Sequence, residues 1–278
     1  MKKVAIVVPH HRFPLSRDEE ISLWHLRKHL SNFDRFLIGP PELPIGYSDF
    51  RIRFFPSEFF RSERGYNSLL LSRKFYRAFR DYEFILIYQL DCLVFSGNLD
   101  CWCDKGWDYV GAPWFPAFAE DTSKGFLAVG NGGFSLRKVS SAIQVLESKV
   151  LAEDPVTRGQ QLRWFRSRPF LREIACWLKT RLHARGYRNN VGFFVWMLCQ
   201  DPSVHEDLFW SFDAKRFLPG FRIPSPEEAV AFAFEPAPRY CYDVNGRKLP
   251  FGCHAWGRFD RAFWEEKILD LRSEKERA

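Results

Sequence analysis

The chain has 278 residues, of which 46% are hydrophobic, 17% aromatic and 27% charged, enough apolar material for one large α/β domain or two small ones. No stretch nears the ~20 uninterrupted apolar residues of a membrane span. The basic start is followed by only five apolar residues before Pro9 and His10, so it reads as a buried strand and not a secretory signal. Seven scattered cysteines fit a reduced, cytoplasmic chain, so disorder, a disulfide scaffold and an integral membrane protein are excluded.

Val4–Val8 has strand length and is bounded by Pro9. Ser16-Arg-Asp-Glu19 is a capping box, in which hydroxyl and carboxylate satisfy the free N–H groups of a helix start. Ile21, Trp24 and Leu30 give that helix its expected core face. Arg35–Ile38 and Ile52–Phe55 read as short strands on either side of a Pro/Gly-rich turn. A helix is predicted from Asn67 to Arg80, then a continuous apolar strand, Phe84–Tyr88, as expected when helices cover both sheet faces. The alternation predicts an α/β sheet, more irregular from about Gly111 onward.

The formal charge of +7 is concentrated in one place. Between Pro155 and Arg188, nine Lys/Arg stand against one acid, Glu173, leaving about −1 for the remaining residues. Trp164, Phe165, Phe170 and Trp177 are interleaved with these cations. Such a segment suits an anionic bilayer surface, a helix packed on the core, or a basic acceptor channel. It reads as an insertion in a single domain spanning 1–278. Near the C-terminus, Phe263, Ile268 and Leu271 lie on an otherwise charged helix that docks on its own domain or on a partner.

Three constellations can carry chemistry. Asp91 closes Tyr88-Gln89-Leu90-Asp91 at the carboxyl end of the most apolar strand, where open α/β sheets bind ligands; the plain alternative is a turn cap. In Gly130-Asn131-Gly132-Gly133-Phe134-Ser135-Leu136-Arg137, the glycines permit close backbone approach to a ligand, or a hairpin. Arg137 suits a phosphate or an acidic partner. The third comprises His205-Glu206-Asp207 and Gly252-Cys253-His254-Ala255-Trp256. Its acids fit a solvated surface or a site. His254 fits an apolar core, or, with Asp91, a site for a divalent ion such as Mn²⁺.

The order of these motifs resembles an uncharacterised bacterial family grouped with GT-A-fold, nucleotide-sugar-dependent glycosyltransferases. It is also similar to that of the β-1,4-galactosyltransferases. The resemblance implies a GT-A-like open, mostly parallel sheet with flanking helices and an irregular acceptor-side half. It implies a hexosyltransferase-like enzyme taking a nucleotide-sugar donor, a UDP-sugar by default, and a glycan or glycolipid acceptor such as cell-surface polysaccharide. Asp91 then matches the last Asp of the family's Asp-x-Asp and, with His254, holds Mn²⁺ or Mg²⁺. Gln89 takes the first Asp position, a departure that removes a charge. Asp207 is the implied general base of an inverting reaction, and Glu206 touches the acceptor. Donor contacts fall on Pro9, His10, Arg12, Asn67, Arg73, Gln89, Leu90, Asn131, Gly132 and Gly133.

Two other classes remain open at this point. A non-catalytic sugar-nucleotide or glycan-binding protein of the same fold is motivated by Gln89. A nucleotidyltransferase is disfavoured, because no Gly-rich phosphate loop follows the first strand. Nucleic acid is not an expected partner, since no recognised binding module surrounds the basic segment.

Overall fold

The computed structural model describes residues 1–10, 14–43, 47–116, 121–153, 178, 181–182, 184–201 and 204–276, with side chains through Ile268. The chain opens with β1 (Lys2–Pro9), α1 (Arg17–Leu30), β2 (Asp34–Gly39) and β3 (Arg51–Phe54). Next come α2 (Glu63–Leu70), α3 (Arg73–Arg77), β4 (Tyr82–Tyr88), β5 (Leu93–Val94) and α4 (Leu99–Asp104). The middle holds β6 (Tyr109–Val110), β7 (Pro113–Trp114), β8 (Ala128–Val129), β9 (Phe134–Lys138) and α5 (Val139–Leu146). Beyond the basic segment are α6 (Val191–Leu198) and α7 (Glu206–Leu208), the latter running through a π turn into α8 (Ala214–Phe217). The chain ends with α9 (Pro226–Ala229), β10 (Ala233–Phe234), α10 (Pro238–Val244), β11 (Gly252–Cys253) and α11 (Arg261–Glu276).

Six strands form the central sheet in the order β3-β2-β1-β4-β9-β6. The first four are mutually parallel, while β9 runs antiparallel to both β4 and β6. Alternation along a strand sends successive side chains to opposite faces. Val4, Ile6 and Val8 of β1 accordingly join Phe84, Leu86 and Tyr88 of β4 in one core, under Leu23, Leu26 and Leu30 of α1. Ala5, Val7, Ile85 and Ile87 enter a second core with Leu69, Leu70, Phe75, Phe79 and Val145 from α2, α3, α5 and the turn after α3. Burial on both faces explains why these strands are apolar without interruption. The fold is thus α/β, with a mostly parallel central sheet and flanking helices.

The helix expected over Asn67–Arg80 is two helices. The first begins at Glu63, where Ser62 Oγ accepts from Gly65 N at 3.1 Å. It stops at Leu70, and Ser72 starts the second by accepting from Phe75 N at 3.1 Å. A serine that offers its own hydroxyl to the backbone favours such a restart over helix continuation. The Ser16–Glu19 capping box forms as predicted. Trp24, expected in the core, is 44% exposed beneath the Lys28 ammonium, because the buried stripe of α1 runs through Leu23, Leu26 and Leu30.

A second, three-stranded sheet, β10-β11-β5, stands beside the carboxyl end of β4. Its residues Phe234, Cys253 and Leu93 share a third core with Trp256 and with Phe263, Trp264 and Ile268 of α11. The C-terminal helix therefore docks on its own chain. Leu271's side chain lies outside the described residues, as does the basic segment apart from Leu178, residues 181–182 and 184–188. The six described cysteines are free, and no helix among the described residues is long and apolar enough to cross a membrane.

Candidate active site

The order β2-β1-β4 sends the connections after β1 and β4 in different directions, opening a crevice at their carboxyl ends. Pro9 and His10 leave β1 there, and Gln89-Leu90-Asp91 leave β4. Together with Phe60, Arg61 and Tyr66 they line a cavity of about 550 Å³. A second cavity of about 520 Å³ shares Tyr66, Gln89 and Asp91 with it, and reaches Asn131–Gly133, Glu206, Asp207, Glu235 and His254. The two spaces meet at the end of β4.

One wall follows from strand register. Parallel pairing of Phe234 with Cys253 makes Glu235 and His254 leave β10 and β11 side by side. Antiparallel pairing of Cys253 with Leu93 then turns His254 over the Asp91–Cys92 corner, closed by Trp256 N donating to Asp91 O at 3.1 Å. His254 Nδ1 donates to Glu235 Oε1 at 2.7 Å. Its Nε2 stands 3.2 Å from Gln89 Oε1 and 3.4 Å from Asp91 Oδ1. Burial opposes charge on this imidazole, but the two carboxylates outweigh it and push the group up to about 10.

This corner has a donor set suited to a divalent cation. Asp91, Cys92 and His254 each offer a ligand atom within 4.8 Å of the others. The Cys92 thiol, pushed well above its usual range by burial, donates to Gly133 O at 3.3 Å and is the least available. Glu235 on Nδ1 fixes the ring so that Nε2 faces Asp91, the usual support for a metal-bound imidazole. One carboxylate oxygen and one imidazole nitrogen beside an open cavity could hold a divalent cation.

The opposite wall is the glycine loop entering β9. Asn131, at φ 81°, accepts from Gly133 N and Phe134 N at 2.8 and 3.0 Å, curling the backbone into a tight turn. A Cβ on Gly133 would stand 2.1 Å from His254 Nε2; one on Gly132 would stand 2.4 Å from Glu206 Oε1. Only glycine lets this loop lie between the imidazole and the acids.

Arg137 lies beneath the loop, 1% exposed, with a partner for every N–H. Nε donates to Ser135 Oγ, Nη1 to Tyr76 Oη and Glu206 Oε2, and Nη2 to Gly132 O and Glu206 Oε1, at 2.7 to 3.2 Å. The resulting bidentate ion pair holds Glu206 as a fixed carboxylate, itself 3% exposed. Of the two partners open to Arg137 in the sequence, the acid is the one it meets. Asp207, next in the chain, accepts from Gly132 N at 3.0 Å through Oδ2 and from Leu208 N at 2.9 Å through Oδ1. Burial, and then the charges of Glu206 and Glu235, raise its carboxyl to about 7.

Most residues singled out in the sequence converge here. Pro9, His10, Leu90, Gln89 and Asp91 line the first cavity; Asn67, Asn131, Gly132, Gly133, Glu206, Asp207 and His254 line the second. Asn67 also braces the acids, donating to Val204 O at 3.5 Å and accepting from Glu206 N at 3.4 Å. Arg73 does not join them: it is exposed on the first turn of α3 and lines neither cavity. Arg12 lies outside the described residues. Glu235 is the side chain that sequence reasoning missed. A lone acid in Ala-Phe-Glu-Pro carries no spacing signal, and only the β10–β11 register brings it to His254.

A family model described as a protein of unknown function, DUF5672, matches residues 49–254, most of the chain. The chain belongs to the DUF5672 family. No curated protein matches this DUF5672 member. Among solved structures, it is similar to the glycosyltransferase GlyE of Streptococcus pneumoniae TIGR4, at 13% identity and a TM-score of 0.39. That match covers 99% of the DUF5672 chain and 64% of GlyE, so the chain spans less than two thirds of that protein's length. Mouse xyloside xylosyltransferase 1 matches at 9% identity and a TM-score of 0.44, over 91% of this chain and 97% of the other. Both structural neighbours are glycosyltransferases, but likenesses this distant set neither substrate nor mechanism for the DUF5672 chain.

Proposed function

We propose that this chain is a glycosyltransferase that moves a sugar from a nucleotide-diphosphate donor to a hydroxyl of a glycan or glycolipid acceptor in the cytoplasm. The observation that carries this reading is the pairing, around one cavity, of the Asp91–His254 corner with the near-neutral carboxyl of Asp207. A corner able to hold a cation, with a base on the opposite wall, suits displacement of a diphosphate by a hydroxyl.

In this mechanism the first cavity takes the nucleotide, a uridine nucleotide by default, between the carboxyl ends of β1 and β4. Asp91 and His254 would hold Mn²⁺ or Mg²⁺, which would supply positive charge against the leaving diphosphate. Glu235 keeps His254 aimed at that position, and Gly132 and Gly133 let the donor-side loop pack against His254 and Glu206. Asp207, its carboxyl raised to about 7, removes the proton from the acceptor hydroxyl as that oxygen attacks the anomeric carbon and the diphosphate departs. A single base and a single displacement give inversion. Glu206, with both oxygens engaged by Arg137, acts chiefly by holding a negative charge beside Asp207, and less as the acceptor contact the family resemblance implies.

The base must be ionised to work, so turnover should rise with pH through about 7 and fall below it. A panel of nucleotide sugars incubated with Mn²⁺ and simple glycoside acceptors tests the assignment. Wild type should release nucleoside diphosphate, and Asp207→Asn should lose on the order of 10³-fold in turnover while still binding donor. A second reading, a sugar-nucleotide binder without catalysis, is favoured by Gln89, which brings no charge to the corner. It predicts donor binding with no turnover and no effect of Asp207→Asn.

A further inference from the structure

We propose that the outer face of α6, with the arginines that precede it, docks on an anionic lipid surface. The helix reads Val-Gly-Phe-Phe-Val-Trp-Met-Leu and has no polar side chain on any face. Its inner side is accounted for: Val191 is buried, and the Phe194 ring meets Phe217 and Phe209 at 5.5 and 6.3 Å. Among the described residues, the outer side stays exposed. Trp196 is 56% exposed, Met197 is 46% exposed, and the Trp196 ring stacks on Phe193 at 5.5 Å. A surface helix ordinarily turns polar residues to water. Contiguous exposed apolar groups in a polar surround mark an interaction site.

Charge selects the partner. From Leu178 to Leu198 the sequence has Lys179, Arg181, Arg185 and Arg188 and no acid. Tyr187 is 57% exposed, with the Arg188 guanidinium 5.5 Å from its ring centre. Trp and Met able to enter an apolar layer, with Tyr and Arg suited to a headgroup boundary, are the chemistry of an interfacial helix. The cations would be attracted to acidic phospholipid.

The helix is also tied to the candidate site. Gln200, just past α6, accepts from Arg64 of α2, whose Tyr66 and Asn67 line the second cavity. If the chain is a glycosyltransferase, docking holds the acid-bearing wall near the bilayer and makes the acceptor a lipid-linked glycan.

The test is co-sedimentation of the full chain with vesicles of phosphatidylcholine alone or with phosphatidylglycerol added, in the absence of nucleotide. The wild type should sediment with the anionic vesicles and be released by salt. Trp196→Glu should reduce partitioning by about tenfold, and Arg185→Ala by about fivefold, each with an unchanged melting temperature. Wild type left in the supernatant would overturn the proposal, as would equal sedimentation of Trp196→Glu. So would a wild-type dimer that Trp196→Glu turns into a monomer, since a second copy would then own this face. Vesicle binding requires no turnover, so it stands or falls separately from the transferase assignment.

Discussion

Asp207 is held where ionisation is costly and yet must ionise to act as a base. Its native pKa of about 7 lies above the ordinary 3.8. The native state therefore keeps a proton that the unfolded chain gives up at lower pH, and stability falls as pH rises from about 4 to 7. Asp207→Asn removes that cost while keeping an oxygen for the Gly132 N–H. The variant should be more stable than wild type at pH 8 by about 1–3 kcal/mol, a gain that vanishes below pH ~4, as read by denaturant titration at both pH values. Arg137 presents the opposite case. Arg137→Met strands the buried Glu206 carboxylate and should destabilise the fold by about 3–5 kcal/mol, measured in the same way.

Among the elements, the short sheet β10-β11-β5 does most to build the site, and it was the hardest to see in the sequence. Asp91 could be read because it closes an apolar run, and Asp207 and His254 because each stands beside aromatic residues. Their convergence could not, because it depends on register between two-residue strands far apart in the chain. Glu235 was missed for that reason. Arg73, a donor contact implied by the resemblance alone, sits exposed on the first turn of α3 and lines neither cavity. Trp24 shows the same limit: its place in the apolar series with Ile21 and Leu30 predicts burial, but the buried stripe of α1 runs through Leu23, Leu26 and Leu30. Glu235→Gln should keep the fold but loosen His254, lowering Mn²⁺ affinity by about 10–100-fold in calorimetric titration with unchanged melting temperature.

At the scale of the whole molecule, one topological fact positions everything else. With β1 between β2 and β4, the carboxyl ends of two central strands open a crevice. The antiparallel β9 then returns its glycine loop to the same edge, where Gln89 N donates to Gly133 O at 2.9 Å. That architecture was legible, because strand and helix alternate cleanly through the first half and the apolar runs demand two covered faces. The second half follows longer-range packing, such as the burial of Phe263 and Trp264 from the last helix against Phe234 and Cys253. The central claim is that the crevice binds a nucleotide diphosphate through a metal held at Asp91 and His254. Calorimetric titration of nucleoside diphosphates with and without Mn²⁺, against wild type and His254→Ala, tests it most directly. The account predicts that one nucleotide binds wild type only with Mn²⁺, and that His254→Ala abolishes this dependence; the absence of nucleotide binding under either condition would contradict it.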